Sequence, residues 1–242
     1  MSYILMWLEA SLQSWGVNSK YQRRDTLNFP SKSGIMGIIL SALGKTGEQK
    51  DFLSRFHDTD LEIEGYFPKN KKGIDKLEDF HMVGSRYNES DPWENLLIPK
   101  TSEGKKAVGG GAKLTYRYYM QDMAYSAIVE VPDDLVDEVS AALINPVWPL
   151  FLGRKCCIPS EIIFQGKFSS KQNCLDKAYE IAERKNKYRG FTVFQDADSE
   201  RGEVITLNDV PISFGVNKSY TDRQVTFVRN YMNEENLSES LS

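Results

Sequence analysis

The chain has 242 residues, which is enough for one large domain or two small ones. Hydrophobic residues make up 40% of the chain and aromatic residues 12%, so we expect a globular protein with a substantial core. The formal net charge of −4 argues against a general nucleic-acid coat protein, so any binding to nucleic acid must depend on local basic segments.

Charge is unevenly distributed along the chain. Residues 100–117 contain five cations against one acid, and residues 184–189 contain four cations and no acid. The tail 231–242 contains three glutamates and no base. This pattern is compatible with a basic face, although charge runs are more often ordinary solvated surface.

The cysteines and histidines do not form a metal-ligand pattern. Cys156 and Cys157 are adjacent, Cys174 stands apart, and the two histidines are far from each other. We therefore expect reduced thiols, no metal and no cofactor. The sequence also shows no signal peptide and no apolar run of membrane-spanning length, which favours a cytoplasmic protein.

The first predicted elements are a strand and a helix. Residues 3–8 form a short apolar run typical of a buried strand. Apolar residues at helical spacing between positions 35 and 43 predict a helix, with Ser31 or Ser33 as N-cap and Gly44 ending it. The run Gly44-Lys-Thr46 is not a nucleotide-binding loop, because it ends the helix and lacks the required glycine at position 39.

A short helix is predicted over residues 49–56, followed by a strand over residues 61–67. Apolar residues alternate with Glu62 and Glu64 in this strand, so we expect one of its faces to be exposed. From residue 68 to about residue 115 the sequence has mainly turn and loop chemistry, which predicts a long irregular insertion.

Regular structure is predicted again after the insertion. Residues 115–120 and 124–131 are interpreted as a hairpin, a helix follows between Pro132 and Asn145, and residues 162–168 form another strand. This order matches the β-α-β-β-α-β arrangement of a ferredoxin-like or RRM-like fold.

The predicted fold class is therefore α+β, with two regions. Residues 1–168 form the ferredoxin-like or RRM-like domain with its long insertion, and residues 169–242 form a small, mostly β region with a polar tail. The second region is charged and has only short β-like runs.

The beginning of the first helix is the strongest functional signal. The backbone N–H groups at an exposed helix N-terminus favour an anion such as phosphate. Ser33 lies at this end, Gly34 and Gly37 would let another chain approach the backbone closely, and Arg23 and Arg24 precede the helix. These residues predict a nucleic-acid site.

A second signal lies at Gly153-Arg-Lys155, between two apolar stretches. The glycine would permit close backbone approach, and Arg154 and Lys155 would neutralise phosphates. The alternative is an ordinary Gly-Arg-Lys surface turn. Trp15 and Tyr116 are candidates for stacking on unpaired bases, with burial in the core as the alternative.

Four motifs, in this order and at about this spacing, give the chain a family resemblance. They are Leu12-Gln-Ser-Trp-Gly16, Phe29-Pro-Ser-Lys-Ser-Gly-Ile-Met-Gly37, Asp79-Phe-His-Met-Val83 and Pro149-Leu-Phe-Leu-Gly-Arg-Lys-Cys156. Together they resemble the CasD family of type I-E CRISPR Cascade complexes, whose members hold the 5′ handle of the guide RNA. The match covers about residues 1–165, and beyond it only Thr221-Asp-Arg223 looks similar.

The resemblance implies an RRM-like body with an inserted thumb at about residues 80–114, which would press into the guide–target duplex. It implies the CRISPR RNA (crRNA), the subunits CasC and CasA and target DNA as partners, with CasE at the far end of the guide. The implied handle-binding residues are Arg23, Arg24, Ser33, Gly34, Gly37, Gly153, Arg154 and Lys155. The thumb would add Lys105, Lys106, Lys113 and Arg117, and Gly109-Gly-Gly111 would make its tip more mobile than is usual in the family.

Two alternatives to a non-catalytic RNA-binding subunit remain open. A related family in a sister subtype cuts the repeat RNA with a tyrosine, a lysine and a histidine and without metal. In this chain His81 would be the general base, with Tyr87 or lysines of the insertion assisting, or it would be an ordinary loop histidine. The third possibility is an unrelated RNA-binding protein.

Overall fold

A computed structural model describes residues 2–16, 23–70, 73–83, 90–97, 100–105 and 113–230. In chain order its elements are β1 (Ser2–Glu9), β2 (Leu12–Gln13), β3 (Arg23–Arg24), α1 (Lys32–Ala42), α2 (Lys50–Ser54), β4 (Leu61–Pro68), β5 (Lys76–Val83), α3 (Pro92–Leu97), β6 (Lys113–Gln121), β7 (Ala124–Val131), α4 (Val136–Ile144), β8 (Phe164–Phe168), α5 (Lys171–Arg184), β9 (Lys187–Phe194), β10 (Glu203–Ser213) and β11 (Ser219–Arg229). The predicted α+β class is confirmed.

The centre of the protein is a seven-stranded sheet in the order β10-β11-β9-β4-β7-β1-β8, with antiparallel neighbours throughout. The predicted boundary between residues 168 and 169 falls between β8 and α5. Strands from both sides of this boundary share the sheet, so residues 169–230 continue it and do not form a separate accessory sheet.

One face of the sheet carries α1 and α4, and the other carries α5. The larger core cluster contains apolar residues of α1 and α4 together with alternate residues of β1 and β7. A smaller cluster joins Cys174, Ala178 and Ile181 of α5 to Leu5 and Trp7 of β1. Helix α5 was not predicted from the sequence. It covers the sheet face that an RRM leaves open for stacking bases.

This helix also explains why the prediction of a half-exposed β4 is wrong. Seven of the eight residues of β4 are buried, Glu62 and Glu64 among them. The Glu64 carboxylate accepts hydrogen bonds from Arg189 (2.6 Å) and from the Tyr66 hydroxyl (2.5 Å). Lys171, at the start of α5, pairs with Glu62 at 3.1 Å. The acids are therefore buried with partners, as buried charges must be.

The predicted hairpin between residues 115–120 and 124–131 is also wrong. Strands β6 and β7 follow each other in sequence but belong to different sheets, because both edges of β7 are taken by β1 and β4. The chain turns at Asp122, which has a positive φ of 54°. The buried Gln13 side chain holds this corner by donating to the carbonyl oxygen of Met123 at 2.7 Å.

Strand β6 belongs to a second, four-stranded sheet with β2, β3 and β5. Strand β5 pairs with β6 from Lys76–Met120 to Val83–Lys113, so the base of the predicted irregular insertion is a regular ladder. The periodic signal was hidden because polar and apolar residues occur on both faces of β5. Helix α3 is a further ordered piece of the insertion.

The remaining predictions differ little from the structure. Helix α4 begins at Val136, one turn after Pro132, because residues 133–135 form a turn.

No helix among the described residues reaches the length and hydropathy of a membrane span.

Candidate nucleic-acid interface

Helix α1 begins as predicted but its N-terminus is not exposed. The N-cap is Ser31, whose hydroxyl accepts a hydrogen bond from the Gly34 N–H at 3.1 Å. The Lys32 N–H donates to the carboxylate of Asp209 at 2.7 Å, and both residues are buried. An internal carboxylate thus occupies the place where the sequence predicted a phosphate, since either anion satisfies the helix dipole.

Asp209 belongs to β10 and is itself paired with a buried cation. Arg223 of β11 donates to both of its oxygens, at 2.7 and 3.0 Å. The Lys32 ammonium points inward, where it donates to the carbonyl oxygens of His57 and Thr59, both at 2.9 Å. Burial lowers the pKa of Lys32 to about 8. Lys32 is therefore unavailable to RNA.

The exposed face of α1 lines a groove of about 520 Å³. Its lining includes Ser33, Gly34 and Gly37 of α1, Gly153, and Lys218 from the turn between β10 and β11. The two signals of the sequence, the start of α1 and Gly153, therefore meet in one groove. The lining residues that sequence reasoning missed include Lys45, Phe151, Phe214 and Lys218.

The glycines of the groove have different roles. A Cβ atom on Gly37 would meet no atom within 4 Å, so this helix face is open to a ligand. A Cβ on Gly34 would lie 2.9 Å from the ring of Trp15, and one on Gly153 would lie 1.7 Å from the Ser14 carbonyl oxygen. Gly34 and Gly153 therefore permit packing within the protein, in addition to any role toward RNA.

Arg154 continues the groove wall toward the second sheet. Its guanidinium donates to the Arg24 carbonyl oxygen at 2.9 Å and lies 4.6 Å from the centre of the Tyr119 ring. Its Nη1 atom is buried and has no hydrogen-bond partner among the residues that the structure describes. Lys155 is exposed beside it. Arg154 and Lys155 thus follow Gly153 directly, and the Arg154 guanidinium reaches the backbone of Arg24 in β3.

The two predicted stacking candidates differ in accessibility. Trp15 is 1% exposed and donates its indole N–H to Gln13 at 3.2 Å, so it is a core residue, as the alternative to stacking held. Tyr116 is half-buried in β6, opposite Phe80 of β5, with ring centres 5.2 Å apart. Arg23 lies over this strand and donates to the Tyr118 hydroxyl.

The predicted thumb contacts are only partly described. Arg117 is exposed on β6, where it lies between Arg24 and Asp79 in the strand register. Lys105 is exposed and 3.2 Å from Glu103. Lys113 begins β6, and nothing is described of its side chain. Lys106, Tyr87 and the Gly109-Gly-Gly111 segment lie outside the described residues.

His81 has a carboxylate partner that sequence reasoning missed. Its Nε2 lies 2.7 Å from an oxygen of Asp79, two positions earlier on β5, and 47% of its side chain is exposed. The spacing i, i+2 on a strand places both side chains on one face, and this was the available signal. Arg117 is the register partner of Asp79, so a cation, a carboxylate and an imidazole share this face.

Comparison with known proteins agrees with this architecture. Residues 3–226 match the family model described as "CRISPR-associated protein (Cas_Cas5)". The chain is 22% identical over 173 residues to the CRISPR system Cascade subunit CasD of Escherichia coli (strain K12), covering 68% of this chain and 70% of that protein.

Two solved structures share the fold. One, described as "CRISPR RNA-guided surveillance complex", superimposes with a TM-score of 0.70 at 23% identity, covering 94% of this chain and 90% of the other. The second, "Crystal structure of Cas protein", gives 0.59 at 20% identity, covering 94% of both chains. The chain belongs to the Cas5 family of CRISPR-associated proteins. The resemblance to the CasD family is confirmed.

Proposed function

We propose that the chain is the subunit of a type I-E CRISPR surveillance complex that grips the 5′ handle of the crRNA without cutting it. In this position it caps the backbone filament and supports recognition of target DNA in antiviral defence. The observation that carries the proposal is the groove that brings Ser33, Gly34, Gly37 and Gly153 together next to Arg154.

The chemistry of this region suits an RNA backbone. The open Gly37 face admits a strand close to the helix, and the adjacent cations Arg24, Arg154 and Lys155 neutralise phosphates. Lys218 extends the positive charge to the opposite wall of the groove. The strand order β4-β7-β1-β8, with α1 and α4 on one face, supports a ferredoxin-like description of the body.

The proposed partners are those of a cytoplasmic Cascade complex. A CasC-type backbone subunit, a CasA-type large subunit and the crRNA would contact this chain, and target DNA would lie near the insertion. The similarity to a Cascade subunit called CasD supports this assignment.

Arg154→Gln combined with Lys155→Gln is expected to weaken binding to crRNA by at least about tenfold, because each lost phosphate contact is a charge-assisted hydrogen bond. The slope of log affinity against log salt should fall by roughly 1.4, about 0.7 for each single-strand phosphate contact. Filter binding or fluorescence anisotropy across a salt series measures both quantities.

The matched control removes two cations from α5, on the opposite face of the sheet. Lys177→Gln with Arg184→Gln makes the same change in net charge and should leave affinity and salt slope near the wild-type values. An unchanged salt slope in the Arg154/Lys155 variant, or an equal loss in the control, would contradict the proposed site.

A metal-independent endoribonuclease that processes CRISPR repeat RNA is the second candidate, favoured by the pairing of His81 with Asp79 beside Arg117. We expect no cleavage when the protein is mixed with repeat RNA in EDTA. The control is His57→Ala, because His57 also pairs with an aspartate, Asp58. Specific cleavage that is lost in His81→Ala but kept in His57→Ala would show that the protein is an endoribonuclease.

A further inference from the structure

The second sheet carries an exposed aromatic surface that the groove does not include. Phe80 of β5 is the register partner of Tyr116 on β6, and Glu78 is the partner of Tyr118. Arg23 of β3 is the register partner of Tyr116 on the other side. Because side chains alternate along a strand, these residues project from the same face. We call Phe80, Tyr116, Tyr118 and Arg23 the aromatic face.

The ring of Phe80 is unusually accessible for a residue inside a strand. It is 52% exposed although its ring centre lies 5.2 Å from that of Tyr116, at an angle of 48°. Met82, the next residue on this face of β5, is 57% exposed. Burial of the exposed apolar surface of Phe80 by a ligand would be favourable, and a planar ligand can cover the face of the ring.

Arg23 gives the aromatic face a fixed cation. Its guanidinium carbon lies 5.1 Å from the ring centre of Tyr118 and 6.0 Å from that of Tyr116. It also donates a hydrogen bond to the Tyr118 hydroxyl, while Tyr118 donates to Glu78. The cation is held in place over the two tyrosine rings, closer to Tyr118.

The aromatic face and the candidate interface meet at β3. Arg23 and Arg24 are successive residues of one strand, so their side chains project to opposite sides of the second sheet. The backbone carbonyl of Arg24 accepts the hydrogen bond from Arg154. A single strand of RNA held at Arg154 and Lys155 would have to cross β3 to reach the aromatic face.

We propose that the aromatic face is a stacking site for one unpaired base of the bound RNA, with the base on the Phe80 ring and its phosphate at Arg23. The inference rests on the proposed RNA-binding function and adds a defined subsite to it. The exposed Phe80 ring, near a guanidinium that Tyr118 holds in place, matches a base and its phosphate, since stacking needs only a planar π-face and the cation supplies the charge.

The test uses RNAs carrying the CRISPR repeat of the source genome, in which one nucleotide at a time is replaced by an abasic nucleotide. Phe80→Ala is expected to weaken binding of the intact RNA by about fivefold to a hundredfold, the range for losing one stacked base. One abasic RNA should bind wild-type protein equally weakly and show no further loss with Phe80→Ala. Phe80→Trp should retain the affinity.

Trp93→Ala is the control, because Trp93 is a 77% exposed aromatic of α3 outside the aromatic face. If Phe80→Ala leaves RNA affinity unchanged, or weakens every abasic RNA by the same factor, the stacking site is wrong, and a protein partner for the aromatic face becomes the better explanation. Failure of the proposed function is distinguishable, because the wild-type protein would then show no salt-dependent binding to any of the RNAs.

Discussion

Gly153→Ala is expected to destabilise the protein by about 3 kcal/mol or more, because this backbone position admits no side chain. Gly153 has a φ of +97°, and its Cβ would fall 1.7 Å from the Ser14 carbonyl oxygen. Moving Ser14 away would disturb its hydrogen bond to the Leu152 carbonyl at 3.1 Å. Thermal or urea unfolding measures the loss, which corresponds to a fall in Tm of roughly 6 to 12 °C for a chain of this size.

Gly37→Ala is the matched control in the same groove. Its Cβ would meet no atom, and alanine is favoured over glycine inside a helix, so the fold should gain about 0.5 to 1 kcal/mol. RNA affinity should nevertheless fall, since the new methyl group stands on the open floor of the groove. A wild-type Tm for Gly153→Ala, or a lower Tm for Gly37→Ala, would contradict the different roles given to the two glycines.

The second large effect is expected from Asp209→Ala, which should cost about 3 to 5 kcal/mol of folding free energy. The substitution removes the acceptor of the Lys32 N–H and leaves the buried Arg223 guanidinium without its carboxylate. The positive end of the α1 dipole would then face two buried cations, Arg223 and Lys32, with no anion between them. Urea denaturation measures the change, and crRNA binding should fall with it because α1 forms the groove floor.

Asp222→Ala on the same pair of strands is the appropriate control. Asp222 is exposed and accepts a hydrogen bond from the Asn208 side chain at 2.6 Å, so its removal should change stability by less than about 0.5 kcal/mol. Equal unfolding midpoints for the Asp209→Ala and wild-type proteins would show that the buried pair does not hold the helix start.

Short-range sequence patterns predicted the helix whose start and apolar face are both encoded within one segment of the chain. The spacing of apolar residues and the serine at position 31 predicted α1 to within one or two residues. Helix α5 was missed although Cys174, Ala178 and Ile181 have helical spacing, because most residues of its buried face are small and the surrounding sequence is charged. Strand β5 was missed because its two faces are not separated into polar and apolar sets.

The candidate site depended on tertiary contacts that no local pattern contains. The sequence treated Gly34, Gly37 and Gly153 alike, and only the positions of Trp15 and Ser14 show which glycine is open. The sequence predicted that the start of α1 binds an anion, and it does contact one. That anion is the carboxylate of Asp209, 177 positions away from Lys32. Distance along the chain hides such a partner from sequence reasoning.

The insertion of β9 next to β4 has a consequence for how the protein folds. Strand β4 is complete only when residues 187–193 are present, and the Lys32 N–H at the start of α1 gains its acceptor only when β10 has been added. Contacts of such high sequence separation slow folding. During synthesis the first two-thirds of the chain would therefore present an unpaired strand edge, a surface prone to wrong pairing, until the last strands arrive. Assembly of the candidate groove is thus among the final events of folding.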